Sequence, residues 1–150
     1  MSGRDGGPSG VGLISEAGLP AVADPGARLV ALCHIHGIQV VPMVGPSSLM
    51  LALMGSGLNG QCFAFCGYLP AKTDERRKAI REIERRSSQL NQTEMFIETP
   101  YRNDSMMADL LAALQPKTRL CIAADITLPD ETIMTRTVRE WQKSPVVIGK

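Results

Sequence analysis

The chain has 150 residues, enough for one ordinary domain or two small ones. Its 16 basic and 15 acidic residues nearly cancel, so no net field advertises nucleic-acid binding, although a local basic patch stays open. No apolar run reaches the roughly eighteen residues that span a bilayer, and the N-terminal MSGRDGGPSG lacks the apolar stretch of a secretion signal.

Residues 1–9, rich in Gly, Ser and Pro, are expected to be flexible. An apolar run over Gly10–Ile14 reads as a strand, followed by a loop, Ser15–Asp24. Asp24-Pro25 is the pattern of an N-cap followed by a proline in the first helical position, and predicts a helix from Pro25 to His36. Gly37 stands where a helix-ending glycine would. Ile38–Pro42 reads as a second strand, and Pro46 opens a second helix that carries Ser47 and Ser48 in its first turn. Two short apolar runs closed by Gly- and Pro-rich loops, with a helix between, predict a βαβ unit of a parallel sheet. Its loops, Ser15–Gly26 and Val44–Ser48, should then lie side by side at the strands' carboxyl ends, where open α/β sheets bind ligands.

The polar, glycine-bearing Gly57–Gln61 suits a linker, which gives two domains, residues 1–57 and 62–150. The second is expected to contain a strand at Cys62–Cys66, a charged helix from Asp74 with a narrow apolar stripe, a strand at Glu94–Glu98 and a helix over Ser105–Leu114. A strand at Arg119–Ala124, a hairpin return at Glu131–Arg136, a helical turn with Trp141 and a last strand begun by the tail PVVIGK complete it. One βαβ unit cannot cover both faces of a parallel sheet, so residues 1–57 read as the back half of a domain whose first strands are missing.

Several residues invite chemistry. Gly18, in Ser15-Glu16-Ala17-Gly18-Leu19-Pro20, lets a ligand approach the backbone closely, although an ordinary strand-to-helix turn would also use Gly and Pro. Ser47 and Ser48 place hydroxyls and free amides at a helix start, suited to a carboxylate, a phosphate or a ribose hydroxyl, or simply to a cap. Glu98-Thr99-Pro100-Tyr101-Arg102 follows a strand, and Arg102 could clamp an anion or lie solvated. The run Arg76, Arg77, Lys78, Arg81, Arg85 and Arg86 alternates with acids, as in a solvated helix laced with ion pairs; contact with a phosphate backbone is the other reading. The four cysteines read as buried reduced thiols, and His34 and His36 as structural or solvent-facing, with no metal role. No residue stands out as a nucleophile or general base, so the catalytic residues are unassigned. A reaction that needs mainly positioning leaves such a weak signature.

Taken together, SEAGLPAVADPGARLV, VVPMVGPSSLMLALMGSGL, FAFCGYLP and FIETPYRN resemble the tetrapyrrole-methylase superfamily of class III S-adenosylmethionine-dependent methyltransferases. Among them they are most similar to the branch with the small-subunit rRNA cytidine 2′-O-ribose methyltransferases, whose motifs run SDAGxPxxxDPG, PGPSA, FxGFLP and ExPHR. The resemblance covers roughly residues 10–140 and lacks the family's first strand and glycine-rich loop, as in an N-terminally truncated chain. It implies an α/β fold of two small domains with the cofactor cleft between them, the first incomplete. It also implies S-adenosylmethionine as donor, a homodimer, a cytoplasmic location, and no metal or membrane partner. Ala17, Gly18, Leu19, Pro20, Ser47 and Ser48 would hold the donor. Glu98, Tyr101 and Arg102 would meet the acceptor, expected to be the ribose of rRNA, and Tyr68 and Leu69 would line the adenine pocket. SEAG in place of SDAG, TPYR in place of SPHR, and Asp125-Ile126-Thr127 in place of a RELTK-type segment leave two alternatives. One is a small-molecule or tetrapyrrole acceptor; the other is an inactive remnant that only binds.

Overall fold

The computed structural model describes residues 10–16 and 18–144. The expectations for residues 1–9, Ala17 and the tail Pro145–Lys150 lie outside the described residues. Two compact units divide the chain, Met1–Ser47 and Ser48–Lys150. The division falls ahead of the linker expected at 57–61, because the helix Ser48–Ser56 packs on the second unit's hairpin.

In the first unit the described residues form one regular element, α1 (Ala27–Ile35). The helix begins two residues later than Pro25. Tight turns fill the segment before it, with Ala21 and Ala23 at positive φ, and the Pro25 carbonyl accepts the Ala21 amide at 3.3 Å instead of opening a helical turn. Gly26 is the N-cap, at φ 140°, and makes no side-chain cap; Asp24 does not take that role. The C-terminus is as expected. Gly37 has φ 66°, its amide donates to the His34 carbonyl and the Ile38 amide to the Cys33 carbonyl, a Schellman closure.

The strands expected at Gly10–Ile14 and Ile38–Pro42 do not form a ladder. Among the described residues of this unit none is fully buried, and Val11, Ile14, Val41 and Val44 are exposed. Apolar alternation marks a segment fit to be a strand, but a strand exists only where another backbone accepts its hydrogen bonds.

The second unit is α/β. Its order is α2 (Ser48–Ser56), β1 (Phe63–Tyr68), α3 (Thr73–Leu90), β2 (Thr93–Ile97), a 3-10 turn (Pro100–Arg102), α4 (Asn103–Ala113), β3 (Arg119–Ala124), β4 (Thr132–Thr137) and α5 (Val138–Lys143). β1 and β2 pair in parallel through the α3 crossover, with Phe63 opposite Thr93 and Phe65 opposite Met95, then a register shift near Gly67. β3 and β4 form an antiparallel hairpin, Arg119 opposite Thr137. Leu69, Ile80, Met106, Leu110 and Ala113 make the buried cluster, with Ile83, Phe96, Leu114 and Leu120 packed around it. Trp141 and Val138 are completely buried, and the Trp141 indole donates to the Leu120 carbonyl at 2.9 Å. A Thr137–Glu140 capping box starts the short α5. α2 lies on the hairpin, where the Thr135 hydroxyl donates to the Ser56 carbonyl at 2.6 Å.

Charge knits the helices to this core. The Asp109 side chain on α4 is only 4 % exposed, and Arg76 and Arg77 of α3 close on it; Arg76 Nε donates to Oδ2 at 2.6 Å and Arg77 Nε to Oδ1 at 2.7 Å. Arg86 reaches the buried Glu94 of β2, with Nε donating at 2.7 Å, and its Nη2 also approaches the Cys66 sulfur at 3.0 Å. Burial raises the Asp109 carboxyl, but the two guanidiniums outweigh it and hold the group below the usual aspartate range. The Arg86 hydrogen bond lowers Glu94 against its burial. Burial and the neighbouring Glu94 push the Cys66 thiol up, so it stays protonated. The cysteines are half-buried free thiols, less enclosed than expected.

A buried ion pair that loses one partner leaves an uncompensated charge. Asp109→Ala should therefore cost about 3 kcal/mol in denaturant unfolding, whereas Glu75→Ala, on an exposed pair, should change stability by less than about 0.5 kcal/mol. Equal midpoints for the two variants would contradict this. Because the folded pKa values of Asp109 and Glu94 are depressed, their stabilisation is complete above the ordinary carboxylate range and is lost as pH falls through and below it. An acid titration of the melting temperature should show that loss, and Asp109→Asn should flatten it.

Candidate functional site

In the first unit the turn after residue 16 and the turn before α2 lie against each other. A Cβ on Gly45 would stand 3.2 Å from Leu19 Cδ2. Gly18 has φ 86°, a conformation that favours glycine, and a Cβ there would meet nothing within 4 Å. The space that a side chain at position 18 would occupy is therefore open. Leu19 and Pro20 are half-buried beside it, and Ala17 is outside the described residues. Gly26 holds the back of the turn, since a Cβ there would come within 2.6 Å of Leu13 Cδ2. Ser47 is half-buried at the end of this unit; Ser48, exposed, begins α2 in the next. Leu19 and Gly45 are thus neighbours within the first unit although the strands expected to bring their loops together are not formed.

In the second unit the loops after the parallel strands β1 and β2 lie together at their carboxyl ends, and Arg102 ties them. Its Nη2 donates to the Leu69 carbonyl at 3.2 Å and the Pro70 carbonyl at 3.1 Å. The same nitrogen lies 3.2 Å from Glu98 Oε2. A guanidinium terminal nitrogen has two N–H groups, and both are engaged by the carbonyls. Glu98 Oε2 therefore receives charge but no hydrogen bond, in a side chain 8 % exposed. Its other oxygen, Oε1, accepts the Thr99 amide at 2.8 Å. Tyr101, by contrast, is 85 % exposed on the 3-10 turn. The loop thus presents a fixed carboxylate, a fixed arginine and a free aromatic face. Leu69 belongs to the buried core, so its side chain does not line a pocket as expected; Tyr68 is more than half exposed.

Half of the basic run on α3 is committed to acids on other elements. Arg76 and Arg77 hold Asp109, Arg86 holds Glu94, and Arg85 pairs with Glu82 on the helix surface. Among the described residues no ion pair holds Lys78 or Arg81. The sequence missed the acids that capture these arginines, because Glu94 and Asp109 sit 8 and 33 residues away from their partners. A carboxylate inside an otherwise apolar helix face, as Asp109 is between Met106 and Leu110, is the signal that marks such a partner. His34 lies in the last turn of α1 and His36 caps it; both are exposed. Among the described residues no group of three or more His, Cys, Asp or Glu side chains is placed to share a metal ion, and no helix is long and apolar enough to cross a membrane.

Comparison with known proteins adds the family. The profile of the tetrapyrrole (corrin/porphyrin) methylases matches residues 6–142. The chain is 41 % identical over 132 residues to the ribosomal RNA small subunit methyltransferase I of Neisseria meningitidis serogroup B, covering 88 % of this chain and 44 % of that protein. It is 35 % identical to the protein of that name from Vibrio cholerae, covering 87 % and 44 %. To that from Halalkalibacterium halodurans it is 32 % identical, covering 93 % and 48 %. The chain thus spans just under half the length of these relatives. With its motifs in order and nearly its whole length matched, the chain belongs to the tetrapyrrole methylase family.

Proposed function

We propose that this chain is part of an S-adenosylmethionine-dependent methyltransferase whose acceptor is the ribose of small-subunit ribosomal RNA. The observation that carries the reading is the approach of the Gly18–Pro20 turn to Gly45, with open space where a side chain at position 18 would stand. The names of the relatives, all ribosomal RNA small subunit methyltransferases, support the acceptor. In this reading Ala17, Gly18, Leu19 and Pro20 offer backbone groups to the donor, and Ser47 and Ser48 offer hydroxyls and amides at the start of α2. S-adenosylmethionine, when bound, supplies a methyl group already activated by its sulfonium. What falls to the protein is alignment and exclusion of water.

Glu98, Tyr101 and Arg102 are assigned to the acceptor. Glu98 Oε2 is a buried acceptor with no hydrogen-bond donor, charge-paired with Arg102 behind the exposed Tyr101. Tyr101 offers a face on which a base can stack. Arg102 acts by fixing the loop, with its remaining charge turned toward Glu98. No residue is assigned as a general base, and no metal enters. The protein works in the cytoplasm as a homodimer in this reading.

Two measurements test the assignment. Calorimetric titration of the chain with S-adenosylmethionine should give saturable binding, which Gly18→Val abolishes together with a lowered melting temperature from the strain of a branched residue at φ 86°. Absence of saturation in the parent would refute the donor site. Incubation with labelled donor and either total RNA or a porphyrinoid extract should label RNA alone. Arg102→Ala should abolish that labelling, and Tyr101→Ala should weaken RNA binding about tenfold or more, as expected for a lost stacking contact of ~1–3 kcal/mol. Label in the porphyrinoid fraction would move the acceptor to a small molecule.

A further inference from the structure

Three successive carbonyls in the loop after β1 are held by arginines. Arg102 Nη2 donates to those of Leu69 and Pro70, and Arg76 Nη1 donates to that of Ala71 at 3.0 Å. Each arginine is in turn seated beside a carboxylate, Arg102 at Glu98 and Arg76 at Asp109. Arg76 is only 3 % exposed. A surface loop that merely joins a strand to a helix leaves its carbonyls to water. Here charge-assisted hydrogen bonds, stronger than neutral ones, pin the backbone in one conformation. Arg77 gives the comparison: it shares Asp109 but, among the described residues, makes no hydrogen bond to this loop.

What the loop holds in place is Tyr68. Phe65 stands opposite Met95 and Tyr68 opposite Ile97, so β1 takes three steps where β2 takes two. The extra residue lies beside Gly67, at φ 66°. Side chains alternate along a strand, so a regular β1 would put Tyr68 on the face of Cys66, whose sulfur meets Arg86 of α3. The extra residue moves Tyr68 to the face of Phe65 instead, where its side chain is 57 % exposed. Insertions of this kind re-aim a side chain. Tyr101, also exposed, adjoins Arg102, and Arg102 bonds to Leu69, the residue next to Tyr68. One hydrogen bond thus links the chain neighbours of two exposed tyrosines.

We propose that the loop after β1 is part of the acceptor site, with Tyr68 and Tyr101 as two stacking faces for the bases of an unpaired RNA segment and Arg76 as the residue that positions Tyr68. The inference rests on the RNA reading given above and extends it to a second loop. Every base has a face that stacks on an aromatic ring, so such a pair holds an unpaired strand without reading its sequence. A loop fixed beforehand loses little freedom on binding, and that is the part the arginines play. Arg76 does not touch the RNA in this arrangement; it acts through the Ala71 carbonyl, with Asp109 holding its guanidinium in place.

Fluorescence anisotropy of a labelled single-stranded oligoribonucleotide with the full chain tests this. Tyr68→Ala should weaken binding about tenfold, whereas Tyr68→Phe, which keeps the ring, should bind like the parent. Arg76→Lys keeps the charge beside Asp109, but a single ammonium lacks the fork that serves Asp109 and Ala71 together. It should weaken binding and speed hydrogen exchange of the Leu69 and Ala71 amides, with the Ile80 and Leu110 amides as internal controls of folding. Arg77→Lys should do neither. Parent-like binding by Tyr68→Ala, with Tyr101→Ala weakened, would overturn the second stacking face and leave the RNA reading standing. Unchanged loop exchange in Arg76→Lys would overturn the positioning role. Absence of binding by the parent would overturn the RNA reading, and this inference with it.

Discussion

Every strand edge carries backbone groups that must find partners, and this demand shapes both units. In the second it is met between β1 and β2 by the α3 crossover and between β3 and β4 by a hairpin. In the first, the apolar segments that flank α1 are exposed and form no ladder among the described residues. Apolar side chains without a ladder bury little, which is why that unit has no fully buried described residue while the second has a continuous cluster.

Charge in this protein works mainly inward. A row of six basic residues on one helix suggests a surface for polyanions, yet Arg76, Arg77 and Arg86 reach acids on other elements and hold α3 to α4 and to β2. Arg102 shows the same preference for backbone and carboxylate partners over solvent. In this respect the molecule resembles a scaffold that stiffens its loops with arginine. Recognition of an RNA would then fall to exposed groups such as Tyr101 and to charges not engaged elsewhere, and would be less sensitive to salt than binding by a basic patch.

Much of the second unit was legible in the residues. The bounds of β3 coincide with the expectation, and β1, β2, α3 and α5 fall within two residues of theirs or overlap them closely, because local period and end signals agree there. The first unit was misread where a local signal competed with turns: Asp24-Pro25 has the form of a cap, but Ala21 and Ala23 at positive φ draw the Pro25 carbonyl into a turn, which no propensity announces. Its strands were misread because pairing is a property of the partner as much as of the segment. The neighbourhood of Leu19 and Gly45 was nevertheless anticipated, since Gly and Pro fix turns whether or not a sheet stands behind them. Arg102 was recognised as a loop residue, but its attachment to the Leu69 and Pro70 carbonyls, some thirty residues back, depends on the fold.

The bond between the Ser56 carbonyl and the Thr135 hydroxyl joins positions 79 residues apart in the chain. At ordinary elongation rates, Ser56 is synthesised roughly 4–16 s before Thr135. During that interval a nine-residue helix composed largely of Leu and Met has no hairpin to cover it. The nascent chain therefore carries this apolar helix without its hairpin until Thr135 has been made.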